Sequence, residues 1–537
     1  MTLALWCPIR ASRQGNPPAL TQKDTNHLCA PCMSLNYNFI WLLCYLLVLV
    51  GLAGYGFHRL SIVYLYWKNR NNKPQPKARF QELPVVTVQL PMFNEKFVVD
   101  RLLESVAALD YPQDRLEIQI LDDSTDDTTE QCCRKVEELK SRGFDAVCIH
   151  RTDRTGFKAG ALEAATKTAK GEFLLILDAD FVPEPDLLQK TIHFFTDENV
   201  GLVQTRWGHI NREYNLLTRI QGMYLDGHFA MEQTARNRSG RFFTFNGTAG
   251  IWRKCVIGDA GGWSHDTLTE DMDLSYRVQL KGWRFIYLND VVTPAELPVD
   301  MDGFKSQQHR WTKGSIQVCQ KILLDIWRSN APLKAKVEAT THLTCNYSYL
   351  LLALLCFLVY PICTQRIPEN ETVFMWFVNV ALFFMTSVAV CIFYMSAQIV
   401  VRPKSWWKEL PYLPLLLTLS VGMAVNNAKA VLEAIFGHQS AFVRTPKYGV
   451  DRKEDRRHVS QLKRNGYRAI KSVVIPVLEI ACGTFFLNLI IIMIRQGHYL
   501  SPILMIPFLG FYYTGFCSLG RMISNLLPAK QTAKAKN

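Results

Sequence analysis

The chain has 537 residues, 49% hydrophobic and 12% aromatic, yet it carries 60 Lys+Arg and a formal net charge of +13. That mixture excludes a plain soluble enzyme and fits a soluble domain embedded in a membrane protein. The positive charge gathers beside apolar segments, as the positive-inside rule expects, which argues against nucleic acid as a partner. The 15 Cys hold no metal array, because Cys29-x-x-Cys32 has no second pair at zinc spacing.

Residues 1–38 are a tail with no readable motif. An apolar run at 39–57, continuing toward Trp67, predicts a first transmembrane helix over 39–67. Lys68, Arg70, Lys73, Lys77 and Arg79 follow it where a signal peptide would carry small residues. The next region is therefore expected on the cytoplasmic side.

Within 81–335 the pattern alternates. LPVVTVQL reads as a strand, about Glu95 to Leu109 as a helix, EIQILD as a strand, about Asp126 to Lys140 as a helix, and GEFLLILDAD as a strand. The expectation is an α/β cytoplasmic domain with a mainly parallel sheet, inserted between transmembrane helices. Ligands in such sheets sit at the carboxyl ends of strands. Asp122-Asp123 ends one strand and Asp178-x-Asp180 another.

Runs at 341–363 and 373–400 predict two more spans within 341–400. Residues 404–436 contain Pro411, Pro414, Asn426, Asn427 and Glu433, and the loop 441–471 after them is densely basic. A span at 411–427 would export that loop, so 401–471 is expected to be cytoplasmic, with an interfacial or re-entrant helix. Runs at 473–495 and 500–520 predict the last two spans within 473–524, and a basic tail fills 525–537. The total is about five spans plus interfacial helices, an integral multi-pass protein.

Each acidic motif is ambiguous alone. Asp178 and Asp180 suit a hard divalent cation that keeps phosphate oxygens as ligands, or merely cap the following helix. Asp122 and Asp123 suit a nucleobase or ribose, or a helix cap. A carboxylate of Thr269-Glu270-Asp271 suits a general base, or another cap. Arg310 offers a planar fork for a diphosphate and Trp311 a flat face for a pyranose, or the pair anchors a basic helix at a membrane. His209 and His228 read as structural.

Taken together, PMFNE, LDDST, GFKAGAL, LDADF, FNGTAG, TEDMDL and QQHRW, followed by FVRTPK at 442–447, occur in one fixed order over roughly residues 80–450. This series resembles the family 2 processive glycosyltransferases, in particular plant cellulose-synthase-like A and C proteins and bacterial cellulose synthase. The resemblance implies a GT-A-type domain. It implies nucleotide contacts from Asp122 and Asp123, diphosphate contacts from Lys158 and Arg310, and Mg2+ or Mn2+ on Asp178 and Asp180. It further implies Asp271 as catalytic base, Gln307 and Trp311 at the acceptor sugar, and Thr445 and Lys447 on a gating loop. The implied activity is an inverting, processive hexosyl transfer that builds a β-1,4-glycan at the membrane. The expected donor is UDP-glucose, with GDP-mannose for a mannan or glucomannan as the alternative, and a non-processive transfer to a lipid acceptor as a further one. The partners implied are the donor, the growing polysaccharide and membrane lipid. Only a short basic tail follows the last predicted span, so a cyclic-di-GMP-binding domain is not expected.

Overall fold

A computed structural model describes residues 30–364, 381–382, 384–438, 445–450, 472–496 and 502–526. Seven strands form one sheet: β1 (Val86–Met92), β2 (Leu116–Asp122), β3 (Asp145–His150), β4 (Phe173–Ile176), β5 (Val200–His209), β6 (Gly250–Arg253) and β7 (Arg284–Ala295). Their spatial order is β3-β2-β1-β4-β6-β5-β7. Four of the neighbouring pairs are parallel, whereas β6 runs antiparallel to both β4 and β5. The sheet is thus mixed, with the expected parallel half at β3-β2-β1-β4.

Both faces of β1, β2 and β4 are covered, so these strands are almost wholly buried, whereas the edge strand β3 is buried only at Ala146. On β1, Val86, Val88 and Leu90 enter one core while Thr87 and Gln89 are equally buried on the other face. Those polar residues survive burial because the register sets partners beside them. Thr87 faces Glu117 and Gln89 faces Gln119 on β2. Thr87 Oγ1 donates to Glu117 Oε2 at 2.6 Å and Gln89 Nε2 to Gln119 Oε1 at 3.1 Å. Two apolar cores result, one built on Val88, Leu102 and Ile118, the other on Leu162, Leu174 and Trp252.

The helix Val99–Ala107 follows β1, Thr128–Ser141 follows β2, and Phe157–Thr168 packs over β1 and β2. These return the chain across the sheet, so the loops after β1, β2 and β4 emerge at one edge. Two later helices face that edge, Glu270–Leu280 and Met301–Arg328. Asp300 starts the longer one: its Oδ1 accepts the Gly303 N–H at 2.9 Å.

Among the described residues two helices are long and apolar enough to cross a membrane, Ile40–Asn69 and Val474–Arg495. Two bent pairs also qualify if each counts as one span: Leu333–Thr344 with Tyr347–Pro361, bent by 53°, and Trp406–Gly422 with Ala424–Ile435, bent by 41°. Among the described residues this gives two to four of the five expected spans. The stretch 404–436, expected as one interfacial or re-entrant helix, is a short 3-10 turn and two helices meeting at an angle. The run at 500–520 lies in the helix Pro502–Leu526. Part of 373–400, most of 441–471 and the tail 527–537 lie outside the described residues.

Candidate active site

One cleft of about 300 Å³ opens at the carboxyl edge of the sheet, and every motif of the ordered series contributes to its wall. Phe93 and Glu95 come from the loop after β1, Asp123 from that after β2, and Asp178 and Asp180 from that after β4. Lys158 enters from the start of the Phe157–Thr168 helix. Asp271 lies in the first turn of Glu270–Leu280, and Gln307, Arg310 and Trp311 come from Met301–Arg328. Thr445 and Lys447 close the far side. Phe442, Val443 and Arg444 of the same motif lie outside the described residues.

The Asp122–Asp123 pair divides. Asp122 is fully buried and does not line the cleft. Its Oδ1 accepts the Ser124 N–H at 3.0 Å, and its Oδ2 is shared by Thr129 Oγ1 and His150 Nδ1, each at 2.7 Å. Burial works to raise this carboxyl, but hydrogen bonds from Ser124, Thr129 and His150 outweigh it and hold the group below the ordinary aspartate range. Three bonds thus tie Asp122 to the loop, and of the two carboxylates expected at the nucleotide only Asp123 lines the cleft. Asp123 does reach the cleft, gripped from behind by Arg151 through two parallel bonds of 2.8 and 2.6 Å. Arg154, another residue the motifs did not flag, lies over the Phe93 ring with its guanidinium carbon 3.4 Å from the centroid.

Each carboxylate of the D-x-D motif holds an ammonium. Lys158 Nζ bonds Asp178 Oδ1 and donates to the Gly247 carbonyl at 2.9 Å. Lys447 Nζ donates to Asp180 Oδ2 at 2.6 Å and to the Glu296 carbonyl at 3.2 Å. Burial works to lower both lysines. Asp178 and Glu270 around Lys158, and Asp180 and Glu296 around Lys447, reverse that and raise them. No group of three or more His, Cys, Asp or Glu suited to a metal occurs among the described residues. Two carboxylates on one strand end nevertheless fit Mg2+ or Mn2+, which commonly take one or two protein oxygens and complete their shell with water and phosphate. The oxygens such an ion would take are those that now hold Lys158 and Lys447.

Glu296, immediately after β7, is a residue that sequence reasoning missed. Its carboxylate accepts the backbone N–H groups of Tyr448, Gly449 and Val450 at 2.9, 3.0 and 3.2 Å, and its own N–H donates to Asp180 Oδ2 at 3.1 Å. The strand end thus ties the segment carrying Thr445 and Lys447 to the D-x-D loop.

Asp271 has no cation of its own. Its Oδ1 accepts the Met272 N–H at 2.8 Å, and Gly247 lies so close that a Cβ there would stand 3.0 Å from Oδ2. Gly247 also has φ +78°, so glycine serves both the turn and the approach. Burial first, and then the charge of Glu270, push the Asp271 carboxyl up to about 7. That value suits a group that must take a proton near neutral pH.

Among the described residues seven buried side-chain atoms on the cleft wall lack a hydrogen-bond partner: Arg154 Nε, Trp207 Nε1, Asn246 Nδ2, Thr267 Oγ1, Thr269 Oγ1, Gln307 Oε1 and Thr445 Oγ1. Buried polar atoms rarely stay unpaired, and their gathering in one cleft fits a hydroxyl-rich ligand. His228 lies off the cleft in a network with Glu232 and Asn246. His209, by contrast, lines it.

Residues 84–314 match the family described as "Glycosyltransferase like family 2". The chain is 42% identical over 286 residues to glucomannan 4-beta-mannosyltransferase 2 of Arabidopsis thaliana, covering 50% of this chain and 53% of that protein. It is 41% identical over 277 residues to glucomannan 4-beta-mannosyltransferase 1 of Oryza sativa subsp. japonica, covering 51% and 53%. The chain spans about half the length of the curated relatives it matches. In fold it is similar to the mannosyltransferase PcManGT from Pyrobaculum calidifontis, solved in complex with GDP-Man and Mn2+. There the TM-score is 0.53 at 19% identity, over 74% of this chain and 100% of that one.

Proposed function

We propose, from the premise that the chain belongs to the family 2 glycosyltransferases of the cellulose-synthase-like kind, that it is a membrane-embedded, multi-pass, inverting hexosyltransferase. It builds a β-1,4-glycan with its catalytic domain on the cytoplasmic side. The names of the relatives favour mannosyl transfer, so GDP-mannose displaces UDP-glucose as the donor of first choice.

The observation that carries the reading is Asp271: a carboxylate with its pKa pushed up to about 7, in one cleft with Asp178, Asp180, Lys158, Lys447 and Arg310. In this reading Asp271 takes the proton from an acceptor hydroxyl. The freed oxygen attacks the anomeric carbon from the face opposite the diphosphate. The new C–O bond forms as the bond to the diphosphate breaks, and the nucleoside diphosphate leaves with the electron pair, inverting the centre. Lys158 and Arg310 meet the charge that develops on the leaving group. Asp178 and Asp180 would hold a divalent ion, which would supply further neutralisation of that charge. Asp123 contacts the nucleoside, with Arg151 fixing its orientation. Trp311 lies under the terminal acceptor sugar and Gln307 takes one of its hydroxyls. Thr445 and Lys447 cover the donor, with Glu296 holding their segment.

The test is incorporation of label by isolated membranes from GDP-mannose, UDP-glucose and UDP-N-acetylglucosamine in turn, with Mg2+ or Mn2+, followed by digestion with linkage-specific glycanases. A mannanase-sensitive polymer from GDP-mannose is the expected product. Incorporation from UDP-glucose alone would return the donor to glucose. Undiminished activity in Asp271→Asn would overturn the mechanism.

A further inference from the structure

The end of β5 is turned by a bulge. Thr205 pairs with Leu288 on β7 but Arg206 pairs with Val292, so residues 289–291 stand outside the ladder. Arg206 Nε donates to the Asn289 carbonyl at 2.8 Å and holds the irregularity in place. Beyond it, Trp207 and His209 share one face of the strand, as residues two apart must. Gly208 lies between them against β7, where a Cβ would come within 2.7 Å of Val292 Cγ1. Both Trp207 and His209 line the cleft.

Their chemistry is complementary. The Trp207 ring lies between Phe181, with centroids 5.1 Å apart at 75°, and Phe229, at 4.6 Å and 35°. It packs on the same apolar cluster, Leu225, Phe229 and Leu297, that Trp311 touches. Its Nε1–H is buried with no acceptor. The His209 side chain is 5% exposed, and its Nε2 meets Asp226 Oδ1 at 3.1 Å. Asp226 is fixed in turn by Arg212 and by Gln398 Nε2 at 3.2 Å. An ionised carboxylate only accepts, so Nε2 carries the hydrogen in this bond, and Nδ1 is the ring's other polar atom. A flat apolar wall with an indole N–H and an imidazole edge beside it is the pattern that holds a pyranose, whose C–H face lies on an aromatic ring while its hydroxyls pair at the edge.

We infer that Trp207 and His209 form a second sugar subsite, which holds the penultimate pyranose of the acceptor when the terminal one lies on Trp311. Asp226 acts through His209 as a positioning residue. The inference rests on the transferase reading above.

The experiment uses the full chain in nanodiscs, with GDP-mannose as donor and either methyl β-mannoside or β-1,4-mannobiose as acceptor. Trp207→Phe deletes the N–H but keeps a ring; His209→Phe deletes the polar ring nitrogens but keeps a ring. The readout is the ratio of kcat/KM for the two-sugar acceptor to that for the one-sugar acceptor. Both rates come from the same folded molecules, so the ratio does not depend on how much variant folds. It is expected to fall about tenfold in His209→Phe and about threefold in Trp207→Phe, the loss of one hydrogen bond to the distal sugar in each case. A wild-type protein that extends both acceptors, with both variants keeping the wild-type ratio, overturns the subsite alone. A wild-type protein that extends neither acceptor overturns the transferase reading itself.

Discussion

The helix Met301–Arg328 carries two polar sites two residues apart, and they are built oppositely. Lys305 is buried among the helices Val474–Arg495 and Pro502–Leu526, where its ammonium donates to Glu479 Oε2 at 2.5 Å, to the Thr514 carbonyl at 3.0 Å and to Ser518 Oγ at 3.0 Å. All three of its hydrogens are used. Gln307 faces the cleft, buried as well, and its Oε1 has nothing to accept from. The protein satisfies the first charge with its own groups because that charge holds architecture. It leaves the second group open, together with six other buried polar atoms around the same cleft, as a site completed by a ligand would.

That contrast can be broken by experiment, and the largest effect belongs to the cleft. Asp271→Asn should lower kcat by about 10³-fold, roughly 4 kcal/mol of barrier, measured as product per folded protein. Lys305→Met should leave Glu479 buried without its cation and cost about 3–5 kcal/mol, read as a drop in unfolding temperature. Lys305→Met/Glu479→Leu should recover most of that loss; a double variant as unstable as the single one would mean that the pair is not an architectural unit.

The pH dependence is smaller and has opposite signs for activity and stability. The base must be ionised, so kcat should rise with pH through about 7 and then level off, with Asp271 as the titrating group. Its folded pKa is raised above the unfolded value, so its contribution to stability is lost as pH rises through about 7. Asp271→Asn should therefore unfold higher than wild type at pH 8, by about 2 °C, and the gap should close toward pH 5. The smallest effect is expected from Thr445→Val, which removes one unpaired hydroxyl and should raise the donor KM by about threefold. A larger change in kcat than in KM would place that hydroxyl at the reacting centre.

The order of the motifs was enough to anticipate a single cleft, because each lies at or just past an element end facing the same sheet edge. The α/β alternation through β1, β2 and β4 was legible from their apolar runs. What failed was what depends on side-chain direction. Asp122 and Asp123 are neighbours in sequence, but only the second reaches the cleft, and a D-D pair does not say which one will. Trp207 and His209 were hidden because the bulge beside Arg206 turns them, and a shift in pairing register leaves no motif. Glu296 was hidden because it acts through backbone N–H groups some 150 residues away, which any sequence supplies. The bends within 333–361 and 406–435 were not legible either, because hydropathy does not register an angle between two helices.

Asp178 and Asp180 each lie against an ammonium before any substrate arrives. To a bare divalent ion the pair is already largely neutralised, so such an ion gains little on entering alone. In the proposed reading a nucleotide's diphosphate would draw Lys158 and Lys447 toward its own oxygens and uncover the carboxylates. Ion and diphosphate are then linked ligands, each raising the other's affinity by the same factor, and the two lysines are the currency of that cooperativity.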